Sequence, residues 1–184
     1  MWQGFSSANS LIYPVIQCSR GCVAMELMEA QLAARGVSLE DIAEIVLDLQ
    51  KKYYPKLAVQ KVLKKRDVQY TVLTGIALDI LAEQNLLPEP LQTIIYTDES
   101  LYGLDEVLAY GITNIYGSIG ITSFGYLDKI KPGIIKALDV NAINQVNTFL
   151  DDLVAGIAAA ACAKIAHSQT ETLLSSVGCK PSCM

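Results

Sequence analysis

Three acidic clusters stand where apolar residues would be expected: Leu104-Asp105-Glu106-Val107, Leu127-Asp128-Lys129-Ile130-Lys131-Pro132 and Leu150-Asp151-Asp152-Leu153. A carboxylate set among core-forming residues is costly to bury unless it is paired or holds a metal ion. Acids interleaved with apolar helical stripes are therefore better site candidates than acids on polar faces. Asp151 and Asp152 fall early in a helical pattern, ~100° apart around the axis of a regular helix, so one can face inward while the other points sideways. Acids in a first turn also complement the helix dipole, which requires no function of them. The single histidine, His167, excludes a site of several histidines within one chain, leaves little room for a Ser-His-Asp triad, and reads as an exposed residue near a helix end. Chemistry here must lean on carboxylates.

Other constellations carry less. Cys18 and Cys22, like Cys179 and Cys183, are separated by three residues and not by the two of a zinc knuckle or a redox CxxC, and Cys162 sits in an alanine-rich run. The thiols read as reduced, in a cytoplasmic protein. Gly117, Gly120 and Gly125 follow no strand and do not match GxGxxG, which argues against nucleotide binding. The basic run Lys61, Lys64, Lys65 and Arg66 reads as a solvated face.

The elements that must position the acids are helices. Ser38 with Glu40 and Asp41 forms an N-cap and acidic first turn ahead of Ile42, Ile45, Val46 and Leu49, and this helix should stop before Pro55. A long second helix, kinked near Gly75, is expected from Ala58 through Leu81. Pro90 suits the first turn of a short helix through Tyr96. Gly103 to Gly120 is apolar on nearly every face, which predicts a central helix surrounded by others. Asp128 to Gly133 reads as a turn, because Lys131 precedes Pro132. Asn147 or Thr148 can cap a last helix through His167, and its small-residue surface, Ala155, Gly156 and Ala158 to Ala161, suits tight helix packing. Strand-like alternation is scarce. The expected fold is all-α, a single-domain helical bundle around a central apolar helix.

The 184 residues suit one domain. With 52% hydrophobic and 18% charged residues the chain is too apolar for disorder. A net charge of −5 argues against a nucleic-acid partner. No segment reaches the ~18 uninterrupted apolar residues of a membrane span, and the N-terminus lacks the basic flank of a signal peptide. Residues 1–24 read as an extension ahead of a natural start at Met25 or Met28, residues 25–167 as the domain, and residues 168–184 as a flexible tail. The apolar content points to a homo-oligomer.

The order of the acidic clusters resembles a known family. Asp105-Glu106-Val107-Leu108, Tyr126-Leu127-Asp128-Lys129-Ile130-Lys131-Pro132-Gly133-Ile134 and Phe149-Leu150-Asp151-Asp152-Leu153-Val154-Ala155-Gly156 are similar to the DExxG, FDxxKPxPI and DDxxAG segments of phosphatidylglycerophosphatase A. With Tyr116-Gly117-Ser118 and a soluble N-terminal helix, the arrangement resembles the soluble branch that includes the low temperature requirement C proteins. The resemblance spans roughly residues 68 to 167. It implies a magnesium-dependent phosphatase that converts phosphatidylglycerophosphate to phosphatidylglycerol.

By the same resemblance Glu106, Asp128 and Asp152 are metal ligands, with Asp105 and Asp151 supporting them, and Lys131 meets the phosphate. Mg²⁺ favours hard oxygen ligands, and a lysine neutralises charge on a transferred phosphoryl group. Water activated by the metal is the preferred nucleophile, with an aspartyl-phosphate on Asp128 as the alternative. Asp98-Glu99 competes with Asp105-Glu106 for the family position. Three features depart from the membrane-embedded members: Thr74-Gly75 is the nearest remnant of their Pro-Gly-Thr-x-Gly-Ser segment, Asn144 to Thr148 replace a Gly-Gly, and transmembrane helices are absent. The substrate is then a phospholipid, met by peripheral contact with the inner membrane surface, or a small soluble phosphomonoester. A rival reading is a non-catalytic stress- or cold-response binding protein whose acids form buried ion pairs with Lys129, Lys131 and Lys136.

Overall fold

The computed structural model describes residues 22–49, 55–99, 103–139 and 145–176, whose regular elements are all helices, without strands. The helices are α1 (Cys22–Ala34), α2 (Leu39–Leu49), α3 (Pro55–Leu63), α4 (Arg66–Glu83), α5 (Leu91–Thr97), α6 (Asp105–Asn114), α7 (Gly117–Ile130), α8 (Ile134–Leu138) and α9 (Leu150–Ser176). The all-α, single-domain bundle expected from the periodicity is the fold that forms.

Local signals explain several boundaries. Ser38 Oγ accepts the Asp41 N–H (3.1 Å), while Asp41 Oδ2 accepts the Ser38 N–H (2.8 Å), a reciprocal capping box that starts α2. Pro55 opens α3, where its missing N–H is no loss. The long second helix is instead two: α3 ends at Leu63, the chain breaks at Lys64-Lys65, and α4 runs unbroken across Gly75. No kink is needed there, because Gly75 serves a close helix crossing. A Cβ added to it would meet Leu153 Cδ1 at 2.5 Å and Phe149 Cβ at 3.1 Å.

The central helix is α9, not the Gly103 to Gly120 stretch. Every residue from Leu150 to Ala163 is buried, and α2, α3, α4, α6, α7 and α8 all pack on it. Its small residues allow the close approach expected of them: a Cβ on Gly156 would lie 3.3 Å from Ala109 Cβ of α6. Residues 103–120 form α6, a reversal at Ile115-Tyr116, and the start of α7. Gly117 takes a left-handed φ of 71° that lets the chain turn back. The α6–α7 hairpin lies on the outside of α9, with Val107, Tyr110, Tyr126 and Ile130 about half exposed.

The helix-starting role expected of Asn147 or Thr148 is shared more widely. The Thr148 hydroxyl donates to Ile95 O of α5 (2.6 Å) and the Asn147 side-chain amide to Leu138 O of α8 (3.3 Å). The Asn147 carbonyl accepts the Leu150 N–H (3.0 Å), and Asp151 Oδ1 accepts the Asp152 N–H (2.9 Å). α9 also continues to Ser176, past the expected end at His167. The chain between them holds helix formers such as Glu171, Leu173 and Leu174 and no Gly or Pro. The tail expected from residue 168 is thus helical to Ser176, while residues 177–184 and most of the expected 1–24 extension lie outside the described residues.

Candidate metal and phosphate site

Three helix ends meet over the start of α9. Asp105 and Glu106 form the first turn of α6, Asp128 lies in the last turn of α7, and Asp151 and Asp152 form the first turn of α9. The antiparallel hairpin brings the first two ends together, and its packing on α9 brings the third. Lys131 terminates α7 in a left-handed conformation, φ 46°, ahead of Pro132.

Carboxylate oxygens of Asp105, Glu106 and Asp152 lie within 4.8 Å of one another. Ligands of an octahedral ion at ~2.1 Å stand ~3 to ~4 Å apart, so small side-chain movements would close these three oxygens on a divalent cation. The electrostatics favour such a guest. Asp152 is only 3% exposed, and burial together with the charges of Asp151, Asp128 and Asp105 pushes its carboxyl up to about 9. Glu106 is also raised, first by its hydrogen bond with Asp105 and then by burial. A divalent cation would relieve this crowding of negative charge, and an all-oxygen donor set suits Mg²⁺.

Asp128 stands beside this trio: its charge is felt by both Asp152 and Glu106, and its Oδ1 lies 3.9 Å from Lys131 Nζ. Lys131 Nζ also donates to Asp151 Oδ2 (2.8 Å) and Asp139 Oδ1 (2.5 Å). Burial works against its charge, but those two hydrogen bonds outweigh it and hold the ammonium above the ordinary lysine range. Asp151, 6% exposed, is pushed up to about 6 by burial, with Lys131 pulling the other way. The acidic face beside the trio thus carries a fixed cation. Lys129 and Lys136 are exposed, so of the three lysines weighed as partners of buried acids, Lys131 is the one so placed.

Asp98 sits at the rim. Its carboxyl is raised by burial and by Asp105, and it feels the charge of Lys131. Two groups escaped the sequence reading. Asp139, which holds Lys131, lies in a segment without a motif. Asp79 is fully buried in the middle of α4, where Oδ1 accepts the Phe149 N–H (3.1 Å). Its place on the apolar face of α4, between Ile76 and Ala82, is the signal that could have found it. The remaining features behave as side issues: His167 is exposed with Nε2 3.2 Å from Tyr116 O, Cys162 is buried in α9, and Lys61 to Arg66 carries its charges on the surface. Cys18, Cys179 and Cys183 lie outside the described residues.

Comparison with known proteins gives the same family as the motifs. The phosphatidylglycerophosphatase A family profile matches residues 24–167, well upstream of the Val68 region where the motif resemblance begins. The uncharacterized protein YutG of Bacillus subtilis is 55% identical over 150 residues, which cover 78% of this chain and 90% of that protein. The crystal structure of the low temperature requirement C protein from Listeria monocytogenes superposes with a TM-score of 0.77 at 49% identity, over 82% of this chain and 99% of that one. That of ypjQ from Bacillus subtilis superposes with a TM-score of 0.76 at 52% identity, over 82% and 97%. Among the described residues no helix is long and apolar enough to cross a membrane. With three acidic motifs gathered over one helix end and a profile match across most of the chain, this protein belongs to the phosphatidylglycerophosphatase A family, in the branch that resembles the low temperature requirement C proteins.

Proposed function

We propose that this chain is a Mg²⁺-dependent phosphatase that hydrolyses a phosphomonoester, with phosphatidylglycerophosphate as substrate and phosphatidylglycerol as product. The observation that supports it most is the convergence of Asp105, Glu106 and Asp152 beside a lysine fixed by two carboxylates. Those three acids would hold the cation, with Asp128 completing or bridging its shell. Bound Mg²⁺ supplies neutralisation of phosphoryl charge and a more acidic water. Lys131, kept charged by Asp139 and Asp151, would orient a phosphate oxygen and neutralise part of the negative charge that the phosphoryl group carries through its transfer. Asp151 sets the place of that ammonium through its 2.8 Å bond. Asp128, about one-third exposed, is reachable either to orient the attacking water or to attack phosphorus itself.

A lipid substrate would be met from the α6–α7 side. Residues 107–127 contain no charged side chain, and the exposed Val107, Tyr126 and Ile130 lie at the hairpin end nearest the acids. We place the enzyme at the cytoplasmic membrane surface, with the same apolar face available to a second copy of the chain.

The test is phosphate release from micellar phosphatidylglycerophosphate and from a soluble phosphomonoester, in Mg²⁺ or EDTA. Turnover of the lipid should need Mg²⁺, and Asp152→Asn should lower it at least ~100-fold, in line with the several kcal/mol a metal contributes to transition-state charge. Turnover of the soluble ester alone would move the substrate and keep the chemistry. Turnover of neither by folded protein would favour a binding protein with structural acids.

A further inference from the structure

We propose that Asp79 and Glu83 of α4, together with Arg35 just after α1, are positioning residues. They clamp residues 145–149 and so fix where α9 begins and where Asp151 and Asp152 stand. Both backbone groups of Val146 are held by one ion pair. Its N–H donates to Glu83 Oε1 (2.9 Å) and its carbonyl accepts from Arg35 Nη1 (3.1 Å), while Arg35 Nη1 and Glu83 Oε1 are 2.6 Å apart. One turn earlier on α4, Asp79 Oδ1 accepts the Phe149 N–H at 3.1 Å. Two acids spaced four apart on one helix therefore hold two backbone positions spaced three apart in the segment that enters α9.

This arrangement is expensive if its only task is packing. Asp79 is fully buried, and its Oδ2 and Arg35 Nη2 both lack a hydrogen-bond partner, a loss that an apolar residue would avoid. What these buried polar groups provide is register. α9 is buried on all sides between Leu150 and Ala163, so the place of its first turn follows from how the chain enters it. A slip of one residue would shift Asp152 by ~1.5 Å along the axis and ~100° around it, out of reach of Asp105 and Glu106.

The inference rests on the metal reading for its functional consequence but not for its geometry, and the test separates the two. Mn²⁺ binding to the full chain is followed by the electron paramagnetic resonance signal of the free ion, and backbone hydrogen exchange is measured in parallel. Asp79→Ala removes the acceptor for Phe149, while Asp79→Asn keeps one. Asp79→Ala should speed exchange of the amides from Val146 to Leu153, leave Ala158 to Ala163 unchanged, and weaken Mn²⁺ binding ~10-fold or more, the usual scale for groups that support metal ligands. Asp79→Asn should stay within ~3-fold of wild type, well inside that scale. Wild-type exchange in folded Asp79→Ala overturns the proposal; so does undiminished Mn²⁺ affinity in that variant, or an equal loss in Asp79→Asn. Should Asp79→Ala fail to fold, Arg35→Met, which removes both bonds from Arg35 Nη1, is held to the same outcomes. If the wild-type chain binds no Mn²⁺, the metal reading falls and the exchange comparison alone decides the positioning role.

Discussion

Asp79 keeps its proton far longer in the folded chain than in the unfolded one. Burial pushes its carboxyl up from 3.8 to about 8, against the opposing pull of the Phe149 N–H and the Arg35 charge. The folded state therefore binds the extra proton between those values. The associated stability is fully present below pH ~4 and is lost as pH rises toward 8. Asp79→Asn keeps the acceptor for Phe149 without a titratable group. It should match wild type near pH 4 and exceed it by several kcal/mol at pH 8, as urea unfolding at the two pH values would show. A variant no more stable at pH 8 than wild type would contradict this. Asp79 stood out as an acid on the apolar face of α4, but what Asp79, Glu83 and Arg35 hold was illegible in the sequence for a definite reason. Their partners are backbone atoms of residues 146 and 149, separated from them by 63 to 111 positions, and backbone atoms carry no side-chain signature. The acids of the site were legible because each lies among apolar residues or in a helix's first turn.

At the scale of elements, the capping box at Ser38, the proline that opens α3 and the short helix after Pro90 were readable because each depends on neighbours within a few positions. The division of residues 103–120 into two helices was not. An all-apolar run reads alike whether it is surrounded or folded back on itself, and the reversal depends on Gly117 and on packing that involves Gly120. The glycines of α7 give a matched test. A Cβ at Gly120 would sit 2.7 Å from the backbone oxygen of Thr113, whereas one at Gly125 would meet nothing within 4 Å. Gly120→Ala should destabilise the chain by ~1–3 kcal/mol through the α6–α7 contact. Gly125→Ala should stabilise it by ~0.5–1 kcal/mol through helix propensity. Thermal unfolding of both distinguishes a tight hairpin from a loose one by the opposite signs.

For the whole molecule, the proposed cation site over α9 would couple stability to divalent cations. Asp151 at about 6 and Asp152 at about 9, like Asp79, hold protons in the folded state that the unfolded chain releases near 3.8. In EDTA, their contribution to stability declines as pH rises from ~4 to ~9. Mg²⁺ at the proposed site would compete with those protons, so it should raise Tm more at pH 8 than at pH 5, with a shift at pH 8 of ~5–10 °C at a hundredfold excess over Kd. Differential scanning fluorimetry at the two pH values, with and without EDTA, is the measurement, and equal shifts would argue against the cation site. The position of α9 has a further result, in the order of synthesis. The helix on which six others pack is the last of the described helices to leave the ribosome, so until Leu150 to Ala163 emerge, the apolar faces of α2, α3, α6 and α7 have no centre to close on. The nascent chain then carries an open apolar trough for most of its translation, which is where a chaperone would be needed and where a stalled ribosome would release an aggregation-prone fragment.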